Sequence, residues 1–236
     1  ISLTAGGLGS AQTVQVLAVE KGAPRGSVTE TIRPASVDIV WEGNTYRPPF
    51  YIGRPLPNGQ SGITIFAMPH LSKGTSETAP SAVVYTWKIN GNLAQKQSGY
   101  GKMSAVITPP RFNAAFTISV EAATQDGSIV AENSVVITPR TPTVVFYENA
   151  ALLGMRFDKA IRGVFPFSGE EVSFNAYPLF VSDASSLSYV WSLDGTAFDT
   201  NPAFPRVTTF KKTASGTGTH EVGFSFKNPN RFLEEG

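Results

Sequence analysis

One aromatic strand-and-turn pattern occurs twice in the chain. Residues 85–92 read YTWKINGN and residues 189–196 read YVWSLDGT, so Trp191 follows Trp87 by 191 − 87 = 104 residues. In each stretch Tyr and Trp stand two residues apart, which places both rings on one face of a strand. Asn-Gly or Asp-Gly follows, and both central positions of a type I′ turn need a positive φ that these residues tolerate. The pattern predicts two copies of one β-rich unit.

Two interpretations of the aromatic residues Tyr85, Trp87, Tyr189 and Trp191 compete. They are either paired ligand-binding rings, as in a sugar-binding protein, or structural core markers of two domains. Ile89 continues the face of Tyr85 and Trp87, and a continuous apolar face is typical of a strand that packs on a core. We therefore expect all four rings to be structural.

The similarity extends beyond these two stretches and divides the chain into three parts. TVQVLAVEKGAPRGSVTETIRP near the start matches TISVEAATQDGSIVAENSVVITP further on. Residues 1–36 therefore read as the last strands of a preceding, incomplete copy. Residues 37–140 form one full copy, and 141–236 form a second that lacks its final strand. RPAS and TPRTPT are short joints, where proline ends a strand and stiffens the link.

Composition and spacing favour an all-β fold. The chain has 22 Gly and 17 Pro spread among short alternating segments, as in β-sandwiches. RFDKAIRGV at 156–164 could form one helical turn, but Gly163 argues against a longer helix. Copies of about 105 residues have the size of immunoglobulin-like (Ig-like) sandwiches. The prediction is tandem Ig-like β-sandwich domains with short proline-containing joints.

A strand of the form V-x-F-x-A-x-P followed by Y-x-W resembles the PKD-type branch of the Ig-like sandwiches. In the second copy these residues are Val172, Phe174, Ala176, Pro178, Tyr189 and Trp191. The loop after each Trp departs from that family, because KINGN and SLDGT stand where its members carry an acidic Gly-Asp-Gly-type loop. The resemblance implies PKD-like sandwiches.

The chain is also similar to a set of uncharacterised exported proteins of candidate-phyla bacteria with very small genomes. The stretches that carry this resemblance are WEGNTYRPPFYIG, YTWKINGN and VVFYENAALLG. It implies a longer exported precursor with a signal peptide, a further N-terminal domain and a C-terminal membrane anchor outside this segment. It implies no activity.

Charge and residue usage exclude several classes of function. A net charge of +1 provides no field to gather nucleic acid, so we expect no nucleic-acid partner. Without Cys the chain has no thiol catalysis and no disulfide. No apolar run approaches the roughly 18 residues of a membrane span, so no membrane insertion is expected within this segment.

Residues with catalytic or metal-binding chemistry are sparse. His70 and His220 are the two histidines, and no G-x-S-x-G nucleophile motif occurs, as a serine hydrolase of that type would need. The doublets Glu170-Glu171 and Glu234-Glu235 read as solvated charges, because neighbours on a strand point to opposite faces. No D-x-D-x-D calcium loop is present. We predict no enzyme activity, no cofactor and no metal site.

The best candidate for a binding surface is YRPPFYIGRPLP at 46–57. Aromatic and arginine side chains on a proline-rich, extended backbone are typical of interface hot spots; here they are Tyr46, Arg47, Phe50, Tyr51 and Arg54. Stacking on sugar rings is a second possible use. In the alternative interpretation, Phe50 and Tyr51 cover the end of a sandwich or the joint between domains.

Taken together, these features predict a non-enzymatic protein of the cell surface: a stalk, an adhesin or a filament subunit. A protein partner or self-association is expected, and a glycan partner is possible. The alternative is a carbohydrate-binding or accessory module of a larger secreted enzyme. The ends add one hypothesis, in which the hairpin within 1–36 of one molecule completes the copy at 141–236 of another by strand addition. The alternative, which we favour, is that flanking sequence outside 1–236 completes both incomplete copies.

Overall fold

The computed structural model describes residues 4, 6–109, 114–212 and 218–236. It consists of antiparallel sheets with two short 3-10 helices among these residues, which confirms the prediction of an all-β chain. The chain forms two compact units. Unit 1 comprises Ile1–Trp41, Thr64–Ile107 and Ala115–Ile137, and unit 2 comprises Glu42–Ile63, Thr108–Ala114 and Thr138–Gly236.

Twelve strands lie before residue 138 in the described part of the chain. They are β1 Gln12–Glu20, β2 Ala23–Ile32, β3 Ser36–Gly43, β4 Ile63–His70, β5 Ser72–Lys73, β6 Ser76–Glu77, β7 Val84–Ile89, β8 Asn92–Leu93, β9 Gly99–Tyr100, β10 Ser104–Ile107, β11 Phe116–Ala123 and β12 Val130–Ile137. A 3-10 helix spans Pro80–Ala82. One sheet has the order β10-β4-β3, and another has the order β12-β11-β7-β8 with β9 also on β7. The pairs β1-β2 and β5-β6 are separate two-stranded sheets.

The core of unit 1 follows from strict alternation along its strands. On β4, Ile65, Ala67 and Pro69 are buried, while Phe66 and Met68 between them are exposed. On β7, Trp87 is fully buried and pairs with Val120 of β11. Side chains at every second position share one face of a strand, so the apolar face of each strand becomes the interior.

Seven strands build unit 2 in the described part of the chain: β13 Thr143–Ala150, β14 Gly154–Ile161, β15 Glu171–Leu179, β16 Ser188–Leu193, β17 Thr196–Phe198, β18 Val207–Lys211 and β19 Val222–Lys227. They form two sheets, β14-β13-β15-β18 and β17-β16-β19. A 3-10 helix spans Ala184–Ser186. The core joins Val172, Phe174 and Ala176 of the first sheet to Trp191 of the second, as in a sandwich.

The suggested helical turn within 156–164 is wrong, because β14 is a strand there. Its residues pair with β13, Phe146 with Ile161 and Asn149 with Met155. Hydrogen bonds to a neighbouring strand outweigh a weak local preference for helix. The turn before β14 ends at Gly154, whose φ is +71°.

The tyrosines of the repeated pattern, Tyr85 and Tyr189, make matching hydrogen bonds in the two units. Tyr85 donates its hydroxyl to the carbonyl of Pro80 (2.9 Å), and Tyr189 donates to the carbonyl of Ala184 (2.5 Å). Each bond spans five residues and satisfies a buried hydroxyl. Burial raises the pKa of the Tyr189 phenol to about 12 and raises that of Tyr85 as well.

The two buried tryptophans are held in the same way. The indole N–H of Trp87 donates to the carbonyl of Lys102, and that of Trp191 donates to the carbonyl of Pro205, both at 3.0 Å. Each therefore ties its strand to the chain segment just before β10 or β18. Both are structural core residues that leave no ring face open to a ligand, since Trp87 is 0% and Trp191 1% exposed.

The turn after each tryptophan strand also matches. Asn90 and Asp194 have φ of 49° and 50°, followed by Gly91 at 80° and Gly195 at 78°, the positive values that a type I′ turn requires. The side-chain oxygen of Asn90 accepts from the N–H of Thr117 (2.9 Å). Asp194 accepts from the N–H of Glu221 (2.8 Å), so each turn is fastened to the start of the next long strand.

The hairpin β1-β2 has the same register as β11-β12, but no other strand packs on its apolar face in the described part of the chain. Val16 pairs with Val28 in the first hairpin, as Val120 pairs with Asn133 in the second. Val120 is fully buried, whereas Val16 and Val28 are 64% and 61% exposed. Val16 is therefore solvated at the position where Val120 belongs to the core, whereas Val28 matches Asn133, which is exposed as well. An exposed two-stranded hairpin of this kind is marginal in water.

The last residues run antiparallel to the end of β19. Phe226 donates to the carbonyl of Gly236 (2.8 Å) and accepts from its N–H (3.1 Å), and Asn228 donates to the carbonyl of Glu234 (2.8 Å). This pairing begins a strand next to β19 in the position that β12 occupies next to β11.

Removal of the central ring of unit 2 tests this core. Trp191→Ala should lower the free energy of unfolding of unit 2 by about 3–5 kcal/mol, because burial is lost and a cavity remains. Val190→Ala is the matched control, since the adjacent side chain is half-exposed and should contribute about 1 kcal/mol or less. Chemical denaturation measures both, with hydrogen-exchange mass spectrometry to assign the loss to unit 2. Equal losses in the two variants would contradict the assigned core role.

Candidate functional site

The proline-rich stretch lies in unit 2, although most of β3 before it and most of β4 after it belong to unit 1. We call Glu42–Ile63 the Phe50 segment; it belongs to unit 2 throughout its length. Its backbone is fastened there, since Tyr46 donates to the carbonyl of Val181 and Arg140 donates to that of Pro57, both at 2.7 Å. Proline cannot join a central ladder and keeps the chain extended, so residues 44–62 lie along unit 2 without forming a strand.

Phe50 lies in a cluster of aromatic rings on the outer face of a sheet. Its ring centroid is 4.6 Å from that of Tyr147, 4.8 Å from that of Phe157 and 5.1 Å from that of Tyr177. Edge-to-face and offset pairs at these distances are favourable. The four rings are called the Phe50 cluster below.

The strand register explains why this face is apolar. Phe146 pairs with Ala176, and both pack in the core with Trp191. The neighbouring Tyr147 and Tyr177 must therefore point to the opposite, outer face. They are nevertheless only 6% and 7% exposed, because the Phe50 segment covers them.

Arg206 joins the same surface. Its guanidinium carbon lies 5.8 Å from the ring centre of Tyr46 and 5.3 Å from that of Tyr177, within cation–π range. It also donates to the hydroxyl of Tyr46 (3.2 Å). Burial raises the pKa of Tyr177, and the Arg206 charge opposes this rise. Burial likewise raises the pKa of Tyr147, against the charge of Arg162.

The five residues expected at a partner contact thus divide into two groups. Tyr46 packs against the buried cluster around Val181 and, with Phe50, is used within unit 2. Arg47 forms an exposed ion pair with Glu42 (3.6 Å). Tyr51 donates to the carbonyl of Arg54 (3.1 Å). The side chains of Arg47, Tyr51 and Arg54 therefore remain at or near the surface, and their contact with a partner stays a prediction.

A buried carboxylate fastens the other end of the segment. Glu234 is 0% exposed, so its interpretation as a solvated charge is wrong. Its Oε1 accepts from Asn58 Nδ2 (2.9 Å), Ser182 N (3.1 Å) and Ser182 Oγ (2.5 Å), and its Oε2 accepts from Asn228 Nδ2 (2.8 Å). A buried charge is tolerated when hydrogen bonds satisfy it in this way.

Asn58 links this carboxylate to the backbone of the segment. Its side-chain oxygen accepts from the N–H groups of Gln60 and Ser61, both at 2.7 Å, as in an Asx turn. Its amide nitrogen also donates to the carbonyl of Phe180 (2.7 Å). Arg231 adds a bond to the carbonyl of Gln60 (2.6 Å). The network closes around Glu234 and serves attachment, since a fully buried carboxylate cannot meet a substrate.

Both histidines are bound to carboxylates on the surface. His70 lies 3.2 Å from Glu77 and 3.5 Å from Asp38, and His220 lies 2.7 Å from Asp194. The hydrogen bond with His220 lowers the pKa of Asp194, and the Glu221 N–H lowers it further.

Within the described ranges, no three His, Asp or Glu side chains gather to hold a metal ion. Those ranges also contain no helix of the length and apolarity needed to cross a membrane.

Sequence reasoning missed Arg206, Asn58 and Glu234. Asn58-Gly59 is a turn dipeptide that could have drawn attention to its loop. Nothing local distinguishes Glu234 from its neighbour Glu235, which is exposed. Arg206 stands out only once the strands place it beside Tyr177.

Loss of the central ring should release the segment from unit 2. Phe50→Ala should lower the free energy of unfolding of unit 2 by about 2–4 kcal/mol, because three aromatic contacts disappear. Ile52→Ala is the control, as this side chain is 100% exposed and should change stability by less than about 0.5 kcal/mol. Thermal and denaturant unfolding measure the difference. If Phe50→Ala were as mild as Ile52→Ala, the cluster would not hold the segment.

Glu234→Gln tests the buried network. The carboxamide replaces an acceptor oxygen by a donor, so one of four hydrogen-bond donors loses its partner at a cost of about 2–4 kcal/mol. Glu235→Gln, at the exposed neighbour, should leave the denaturation midpoint unchanged. A near-neutral effect of Glu234→Gln would show that the carboxylate is not needed.

No protein-family model and no curated protein matches this chain. A function for the Phe50 segment must therefore come from its own contacts and charges.

Proposed function

We propose that the chain is part of a non-enzymatic, exported surface protein built from tandem Ig-like sandwiches of PKD type, and that it acts as a stalk, adhesin or assembly subunit. The observation that carries this proposal is the matching set of bonds around Trp87 and Trp191. The same donors reach the same backbone positions in units 1 and 2. Duplication of one domain accounts for this more simply than two independent origins.

The hairpin β1-β2 supports a longer array. Its register matches β11-β12, and Val16 and Ile32 lie at the positions of Val120 and Ile137, which are buried in the matching hairpin. In an array of repeats each unit contacts its neighbours, so apolar surface left open on one unit can be covered by the next. The resemblance to exported, membrane-anchored proteins agrees with the same role.

The contact surface for a partner consists of the solvent-facing side chains of the Phe50 segment. Arg47, Tyr51 and Arg54 lie around the fully exposed Ile52, a combination of arginine, aromatic and aliphatic groups that favours protein contacts. A flat sugar-binding platform has less support, because the rings of Phe50 and Tyr46 are engaged within unit 2.

Antibodies against the purified chain test the location. They should label intact cells of the source organism as strongly as permeabilised ones, with an antibody to a ribosomal protein as the control for leakage. Labelling that appears only after permeabilisation would contradict a surface role.

A glycan array with the purified chain separates the two candidate functions. The proposed protein contact at Arg47, Tyr51 and Arg54 predicts no glycan signal that depends on Tyr51. Binding of one glycan class that is lost in Tyr51→Ala, with unchanged thermal stability, would instead favour the carbohydrate-binding module. Ile52→Ala provides the matched control within the same loop.

A further inference from the structure

Unit 1 carries an apolar groove on the outer face of its sheet β10-β4-β3. Four large apolar side chains lie there at 42–50% exposure: Val40, Phe66, Met68 and Met103. The groove has a volume of about 520 Å³, and its walls include Pro69 and Pro80. Contiguous exposed apolar surface of this kind marks an interaction site in a soluble domain. We call it the Phe66 groove.

The matching surface of unit 2 is covered. Ala67 donates its N–H to the carbonyl of Met103 (2.8 Å), and Ala176 donates to that of Arg206 (2.9 Å). These equivalent bonds place Met103 where unit 2 has Arg206. Met68 and Tyr177 each follow the matched alanine, so they occupy one outer-face position in their sheets.

In unit 2 this position is where the Phe50 segment lies. Tyr177 contacts the Phe50 ring, and Arg206 contacts Tyr46. In unit 1, Met68 and Met103 occupy the two corresponding positions and are exposed. Methionine adapts its shape and makes favourable sulfur–aromatic contacts, so an incoming aromatic ring finds suitable partners.

Charge at the rim favours the same occupant. His70 lies between Asp38 and Glu77 at the edge of the groove, and both carboxylates are well exposed. The Phe50 segment carries Arg47 and Arg54 on either side of Phe50. Two exposed carboxylates at one edge of an apolar groove are complementary to an arginine beside an aromatic anchor.

We propose that the Phe66 groove binds an extended, proline-rich segment with an aromatic anchor and flanking arginines, namely the counterpart of the Phe50 segment in a neighbouring copy of this repeat, in the way that the Phe50 segment itself binds unit 2. The inference rests on the proposed repeat organisation. The aromatic anchor of the bound segment packs against Phe66, Met68 and Met103, and the arginines of that segment face Asp38 and Glu77.

Methionine methyl groups report this contact directly. The chain has 3 methionines: Met68 and Met103 in the groove, and Met155 in β14 of unit 2. The chain, labelled with ¹³C at the methionine methyls, is titrated with a synthetic peptide of residues 44–56. The signals of Met68 and Met103 should move upfield and saturate, because an aromatic ring stacks on them, while Met155 stays in place.

Two matched changes give the specificity of the contact. The same peptide with Phe50→Ser should bind at least tenfold more weakly, and so should the wild-type peptide to Phe66→Ser protein. Absence of shifts at millimolar peptide, equal shifts with the Phe50→Ser peptide, or a shift of Met155 alone would overturn the proposal. None of these outcomes alters the cell-surface labelling, so failure of the groove and failure of the surface role are distinguishable.

Discussion

A sheet has two faces, and a sandwich can bury only one of them between its layers. In unit 2 the inner face packs on Trp191, yet the outer face also carries large rings, Tyr147 and Tyr177. These rings need a second cover, which the Phe50 segment supplies. The same constraint acts on unit 1, where the corresponding outer face carries methionine and phenylalanine that remain exposed.

Attachment of the Phe50 segment combines two kinds of interaction. The aromatic cluster contributes apolar burial, which is strong but tolerant of small displacements. The Glu234 network contributes directional bonds, because one buried carboxylate takes four donors from three side chains and one backbone N–H. Together they set both the strength and the register of attachment, since a shift of one residue would leave the buried charge without Asn58.

Local patterns in the sequence predicted the elements that depend on periodicity and turn chemistry. The alternation around Trp87 and the Asn90-Gly91 turn both fall within one strand and its hairpin, so a short window contains the information. Membership of the Phe50 segment in unit 2 could not be predicted, because it depends on strands about 100 residues away in the chain. β14 was missed because its pairing with β13 outweighs a weak helical preference. The burial of Glu234 was missed because its partners lie at Asn58, Ser182 and Asn228.

Native-state hydrogen exchange tests most directly whether the Phe50 segment is an integral part of unit 2. The N–H of Tyr46 is bonded to Val181, and that of Ala176 lies within the sheet, bonded to Arg206. If the segment is integral, the Tyr46 amide should exchange through the same opening as Ala176 and show comparable protection. Exchange of Tyr46 at the rate of an unstructured peptide, while Ala176 stays protected, would contradict this account.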